Sequence, residues 1–225
     1  MTIDCIVPAR NEDPTVAEVV EACRGCSYVR EVIVVDDGST DETAERATVA
    51  GAKVIRRLEG GSKAHAMKAG VDATDADAVL FVDADCTGIT SAHLDDICRP
   101  FVDGRAVMSI GAFDYGPFWN PMVVRWPPLS GERVIPRWVF DAIPDDKLDG
   151  YTIEIRINEV IAEHHLPTTV RTMKGVYHRT KRDKLGRVEG YRATWRMYKA
   201  ILGLLAGKVR WRTYLFYLQE LTVER

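Results

Sequence analysis

A chain of 225 residues, 46% hydrophobic and with 30 Lys and Arg against 33 Asp and Glu, can bury a substantial core as one domain or as one domain with an extension. Its longest apolar run near the C-terminus, residues 200–207, falls far short of the ~20 residues that span a bilayer, and the N-terminus lacks a basic region followed by an apolar one, so neither a transmembrane helix nor a signal peptide is expected. Five cysteines, an odd number in apolar or helical surroundings, fit free thiols of a cytoplasmic protein; Cys23-Arg24-Gly25-Cys26 has metal-ligand spacing, but no second such pair or nearby His pair completes a tetrahedral site.

Through the first half, short β-type runs alternate with helical patterns, which predicts a mostly parallel sheet with crossover helices. Strands are expected at Ile3 to Val7, Val32 to Val35, Lys53 to Arg56, Ala78 to Val82 and Val107 to Gly111, with helices over 14–23, 41–50, 62–73 and 91–102. Ser39-Thr40-Asp41-Glu42 has the spacing of a capping box, so the second strand should run through Asp36-Asp37-Gly38 into a capped helix. Gly60-Gly61-Ser62-Lys63 puts a glycine turn and a lysine at a helix N-terminus, where anions are favoured. From Phe113 to Arg137 five prolines and two tryptophans predict a structured connection rather than a regular element. A helix from Thr152 to His165 and a strand from Thr169 to Met173 follow, and then a basic segment: residues 178–212 hold eleven basic side chains against Asp183 and Glu189. Tyr191, Trp195, Tyr198, Leu202 and Leu205 there have amphipathic-helix spacing, continued by Trp211, Leu215, Leu218 and Thr222.

The chemistry concentrates where the apolar strand Ala78 to Val82 ends in Asp83-Ala84-Asp85. In open α/β sheets ligands sit beyond the carboxyl ends of strands, and residues i and i+2 of an extended chain share a side, so the two carboxylates suit a Mg²⁺ or Mn²⁺ ion carrying a diphosphate. Pro8-Ala9-Arg10-Asn11-Glu12, Asp36 to Asp41 and Gly61-Ser62-Lys63 should converge on the same edge. A dinucleotide-binding glycine fingerprint is absent, which argues against a dehydrogenase.

In this order the motifs I-V-P-A-R-N-E, V-V-D-D-G-S-T-D and D-A-D resemble those of family 2 glycosyltransferases of the GT-A, or nucleotide-diphospho-sugar transferase, fold, over roughly residues 1–112. The resemblance implies an α/β fold with a helical C-terminal extension, divided into a nucleotide-sugar-binding half (1–112), an acceptor-binding half of the same domain (113–177) and a basic helical extension (178–225). It implies that Pro8, Ala9, Arg10 and Glu12 line the nucleoside, that Asp37 meets the base, Lys63 the diphosphate, and Asp83 and Ala84 the nucleotide sugar, and that Asp85 binds the metal and acts in catalysis. The second half, through Pro128-Leu129-Ser130-Gly131-Glu132, Gly150-Tyr151-Thr152-Ile153-Glu154-Ile155 and His178, is similar to glucosyl-3-phosphoglycerate synthases and related enzymes. That similarity places Glu154 beside the reacting sugar, makes His178 a further metal ligand, and gives Arg125, Ser130, Gly131, Glu132, Tyr151 and Thr152 to the acceptor. An inverting reaction on an alcohol would take Glu154 or Asp149 as base; a phosphate acceptor needs none.

The expected activity is therefore metal-dependent transfer of a sugar from a nucleotide diphosphate, UDP foremost, to a phosphorylated acceptor. Polyprenyl- and dolichyl-phosphate sugar synthases share the N-terminal motifs, and the basic, Trp-containing tail would suit peripheral contact with an anionic membrane. A sugar-phosphate nucleotidyltransferase and a non-catalytic nucleotide-sugar-binding protein are the rivals from other classes. The first needs glycines after strand one that Pro8 to Glu12 lack, and intact Asp83, Asp85 and His178 speak against the second. Nucleic acid is not an expected partner, and monomer and homodimer both stay open.

Overall fold

The computed structural model describes residues 1–114, 120, 130–148, 153–178 and 221–224, with His178 and Glu224 described by their backbones alone. Parallel strands β1 (Ile3–Ala9), β2 (Val29–Asp36), β3 (Lys53–Arg56) and β4 (Ala78–Phe81) are joined by α1 (Val16–Arg24), α2 (Thr43–Val49) and α3 (Lys63–Asp72). Beyond β4 come a short strand β5 (Cys86–Thr87), α4 (Ser91–Val102), β6 (Met108–Phe113), β7 (Arg133–Pro136), α5 (Arg137–Asp141), α6 (Ile153–Glu163), β8 (Thr168–Met173), β9 (Tyr177–His178) and β10 (Leu221–Glu224). The main sheet has eight strands in the order β10-β8-β6-β7-β4-β1-β2-β3, and β5 pairs with β9 in a second, two-stranded sheet.

Alternation along the strands explains why both faces of the sheet are covered. Cys5, Val7 and Ala9 of β1 join a cluster with Val16, Val19 and Val20 of α1 and Leu94 and Ile97 of α4. Ile6, one residue out of phase, packs on the other face with Met67 and Val71 of α3 and Ile157 and Ile161 of α6. The result is a three-layer α/β/α sandwich whose parallel strands end on one edge. All five cysteines are free and buried, and Cys5, Cys23, Cys26 and Cys98 lie in the α1/α4 cluster.

Four sequence expectations are corrected. The stretch read as an irregular connection up to Arg137 contains β7, a central strand antiparallel to both β4 and β6. Its apolar Val134 and Ile135 are short enough to be hidden by flanking prolines, and Pro136 falls at the strand's end, where a missing N–H is tolerated. The capping box at Ser39 to Glu42 does not form: Ser39 Oγ accepts instead from the Asn11 N–H (2.9 Å), and Asp41 takes the Thr43 N–H (3.1 Å) at the start of α2. A box with the same logic occurs at α4, between Thr90 and His93. Asp83 to Asp85 does not continue β4 as an extended pair, because the strand stops at Phe81 and the chain turns, with the Cys86 N–H reaching Asp83 O (3.4 Å). Finally Thr222, expected on a helix, sits in β10, whose β-branched Thr222 and Val223 extend the sheet in parallel beside β8. The amphipathic pattern from Tyr191 to Leu218 lies outside the described residues.

Candidate active site

Three loops at the C-terminal edge are tied into one platform. Asn11, in a left-handed conformation (φ 55°) that its short amide tolerates, accepts from the Thr40 N–H (2.9 Å) while its own N–H donates to Ser39 Oγ. The Glu12 N–H donates to Thr43 Oγ1 (2.8 Å), and Thr15 Oγ1 donates to Ala84 O (2.8 Å), so the turn after β4 hangs on the loop after β1. Within this platform Pro8 is half-buried, Ala9 and Glu12 are buried and Arg10 is exposed beside Gly61.

Asp37 is buried and held from three directions: Arg57 Nη1 pairs with Oδ1, and the N–H groups of Gly61 (2.6 Å) and Ser62 (2.8 Å) donate to Oδ2. A carboxylate placed this way fixes the Gly60 turn, and the turn must be glycine, because a Cβ on residue 60 would overlap the carbonyl of Asp37. Arg57 carries no signal in the sequence, being one of two arginines at a strand end. Ser62 then caps α3, its Oγ accepting from the His65 N–H, which aims Lys63 from the first turn into the site.

Lys63 Nζ lies 2.6 Å from Asp83 Oδ1 and 2.8 Å from Glu154 Oε1, ninety-one residues on in sequence, so it joins the turn after β4 to the first turn of α6. Burial pulls its ammonium toward the neutral form, but the charges of Asp83 and Glu154 and their hydrogen bonds outweigh that and hold its pKa above the ordinary lysine value. A cation, two carboxylates and an exposed edge make a site organised for a charged ligand.

Behind Asp83 stands the Ser130-Gly131-Glu132 segment. A Cβ on Gly131 would fall 2.5–2.6 Å from the atoms of the Asp83 carboxylate, so a side chain here would displace that carboxylate. Glu132 has no exposed surface: its Oε1 takes the Cys86 thiol (3.2 Å) and the Asp83 N–H (3.4 Å), and its Oε2 is 2.5 Å from Ser130 Oγ, which also bonds Gly111 O. Burial, then the charges of Glu132 and Asp83, push the Cys86 thiol well above its usual pKa, keeping it neutral. Gly131 and Glu132, expected at an acceptor surface, are both buried, next to the Asp83 turn. Arg133, which no sequence pattern marks, is fully buried and bonds Ser130 O through Nε (3.1 Å) and Nη2, and Asn158 Oδ1 (2.9 Å) and Glu154 O (3.3 Å) through Nη1.

Among the described residues no group of three or more His, Cys, Asp or Glu side chains stands at metal-holding distances. The donor chemistry nevertheless fits a hard divalent cation: Asp83 and Asp85 are half-buried at the strand end, and the β5–β9 register sets the backbone of His178 opposite Cys86, the residue after Asp85. Arg125, Asp149, Tyr151 and Thr152 lie outside the described residues.

The chain matches the family model for glycosyl transferase family 2 over residues 4–146. A segment of 93 residues is 40% identical to glucosyl-3-phosphoglycerate synthase of Mycolicibacterium smegmatis, covering 37% of this chain and 31% of that one. Another of 121 residues is 30% identical to the synthase of Mycobacterium tuberculosis, covering 50% and 37%. The matched segments thus span about a third of the length of these curated relatives. A crystal structure of the Mycobacterium tuberculosis synthase in complex with Mn²⁺, UDP-glucose and phosphoglyceric acid aligns with a TM-score of 0.66 at 26% identity, over 79% of this chain and 71% of that chain. The mixed α/β sandwich matches the GT-A arrangement of that structure, as the sequence motifs imply. With the family model covering well over half of its length, and that family's motifs gathered at one sheet edge, the chain belongs to glycosyl transferase family 2.

Proposed function

We propose that the protein is a metal-dependent glycosyltransferase that moves a sugar from a UDP-sugar to a phosphorylated small-molecule acceptor. The observation that carries the reading is the Asp83–Lys63–Glu154 cluster at the C-terminal edge of the sheet, beside the Asp85 turn. It is supported by the likeness to a synthase whose structure holds Mn²⁺, UDP-glucose and phosphoglyceric acid. Asp83 and Asp85, with His178 from β9, would hold Mg²⁺ or Mn²⁺, which when bound neutralises charge on a departing nucleoside diphosphate. The residues of the chain do the rest. Asp37 and Arg57 hold the glycine turn open to the nucleotide, the ammonium of Lys63 and the N–H groups opening α3 meet diphosphate charge, and Glu154 faces the sugar from the opposite wall. Pro8, Ala9, Arg10 and Glu12 form the nucleoside side, while Ser130, Arg125, Tyr151 and Thr152 belong to the acceptor side of the reading.

Two measurements test it. Isothermal calorimetry with UDP and GDP, with and without Mn²⁺, should give tight binding for UDP with the metal only. Radiolabelled UDP-glucose should pass sugar to 3-phosphoglycerate; transfer only to a polyprenyl phosphate in vesicles would replace the soluble acceptor with the lipid one, and no metal-dependent UDP binding would remove the reading. Among the described residues no helix is long and apolar enough to cross a membrane.

Gly131→Ala provides a sharper check of the Asp83 placement. Because a methyl group there meets the carboxylate head-on, Asp83 must move by about an ångström, a displacement that lowers turnover roughly 10²-fold. Wild-type transfer by a folded Gly131→Ala protein would show that the position of Asp83 does not matter.

A further inference from the structure

We infer that Arg57 is a specificity-determining residue: its guanidinium, held in place by Asp37, donates to a carbonyl oxygen of the donor nucleotide's base. This role rests on the UDP-sugar reading above. The residue that the sequence marks for the base is badly placed to read one. Asp37 already takes three donors, Arg57 Nη1 on Oδ1 and the N–H groups of Gly61 (2.6 Å) and Ser62 (2.8 Å) on Oδ2, and its side chain is only 6% exposed. The two N–H groups fill both lone pairs of Oδ2. Arg57 is the reverse case. Its side chain is 22% exposed, and its guanidinium meets, among the described residues, Asp37 alone. Charge balance for the buried carboxylate accounts for that one bond; an arginine has five N–H donors, and the rest are open to a ligand.

The backbone around this pair is fixed at both ends. Arg57 is the first residue after β3, and its N–H donates to Asp36 O (2.9 Å), while the Asp37 N–H donates to Ala9 O (2.8 Å) in the loop after β1. The sheet order β4-β1-β2-β3 sets the ends of β2 and β3 two and three strands from the Asp83 turn, about 10–15 Å at the ordinary strand spacing. A nucleotide whose diphosphate lies between Lys63 and the turn after β4 therefore carries its base toward Arg57. A guanidinium only donates, so it selects a base edge that accepts. Uracil offers two carbonyl oxygens and adenine offers none. The planar fork lets one N–H stay on Asp37 while another points to the base, a fixed second direction that a lysine ammonium on its flexible stem lacks.

Calorimetry in Mn²⁺ with UDP, 2-thio-UDP, 4-thio-UDP and ADP tests this on wild type, Arg57→Met and Arg57→Lys, with thermal unfolding to confirm that each variant folds. Sulfur is a weak acceptor, so replacing the contacted carbonyl oxygen removes the base's half of the bond without changing its shape much. One of the two thio forms should bind wild type several-fold more weakly than UDP, and that penalty should vanish in both variants, the non-additivity that marks a direct contact. Arg57→Met should weaken UDP roughly 10–10²-fold, the scale of a hydrogen bond to a charged group, and leave ADP as it was. If Arg57→Met does not fold, Arg57→Lys, which keeps a charge beside Asp37, supplies the same comparison. Equal losses for UDP and ADP, or a thio penalty that persists in the variants, overturn the base contact and leave Arg57 holding the turn only. Equal binding of UDP and both thio forms by wild type overturns it with no variant needed. In each of those results the transfer reading stands, because UDP still binds with the metal; a wild type that binds no uracil nucleotide removes that reading and the base contact together.

Discussion

Asp85→Ala is expected to lower divalent-cation-dependent sugar transfer roughly 10²–10³-fold, the scale for deleting one group that stabilises developing charge in a preorganised site. The side chain belongs to a half-buried turn at the mouth of the sheet rather than to the core, since the strand has already ended at Phe81. The turn itself is held elsewhere, by Thr15 on the Ala84 carbonyl and by Glu132 on the Asp83 N–H. Stability should accordingly change by at most about 1 kcal/mol. Removing the carboxylate should also abolish the Mn²⁺ dependence of UDP binding while leaving metal-free binding of uridine as it was. Wild-type rates in Mg²⁺ or Mn²⁺ from the Asp85→Ala protein would refute the metal assignment outright.

The second large effect concerns Lys63, whose replacement by methionine keeps the stem and removes the charge. Asp83 and Glu154, with side chains only 18% and 8% exposed, would then face each other across the site without their shared cation. Leaving such a charge short of its partner should destabilise the fold by roughly 1–3 kcal/mol. The sign with pH follows from the raised pKa of Lys63. A lysine held above its unfolded value of about 10.4 contributes stability that is fully present below that pH and is lost as pH climbs through the folded value. The gap in stability between wild type and Lys63→Met, measured by urea unfolding, should thus be constant through neutral pH and close only in strong alkali. A gap that closed on acidification below neutral without changing in alkali would contradict the ammonium's role. The same variant should weaken UDP by about 1–3 kcal/mol and uridine much less, because the lost contact is with the diphosphate. Equal weakening of both ligands in calorimetry would count against that contact.

Much of this architecture is legible in the amino-acid sequence. The alternation of apolar runs and amphipathic segments locates every main-sheet strand and every helix of the first 112 residues to within a few positions, because the pattern that buries a strand or a helix face is local. The motifs at the ends of β1, β2 and β4 are visible for a related reason: a short run of polar residues closing an apolar strand has to lie at a sheet edge. Lys63 is legible as a helix-start cation, but its two partners are not, as Glu154 is ninety-one residues away and no periodicity connects them. Asp37 reads as a base contact, whereas in the fold its carboxylate is turned to Arg57 and the glycine turn.

Residue type and short-range spacing suffice for an α/β protein with a mostly parallel sheet, for the family motifs and for the edge of the sheet on which the chemistry sits, since each is encoded within a short stretch of chain. The antiparallel place of β7 between β4 and β6, the addition of β10 beside β8, the setting of His178 opposite Cys86, and the burial of Glu132 and Arg133 emerge only from the folded arrangement. These depend on pairings between distant segments, where the choice among apolar edges is made by the sum of contacts across the whole sheet. A four-residue strand such as Arg133–Pro136 has too few residues to announce its neighbours, and a buried arginine shows its purpose only when the carbonyls it binds are in place.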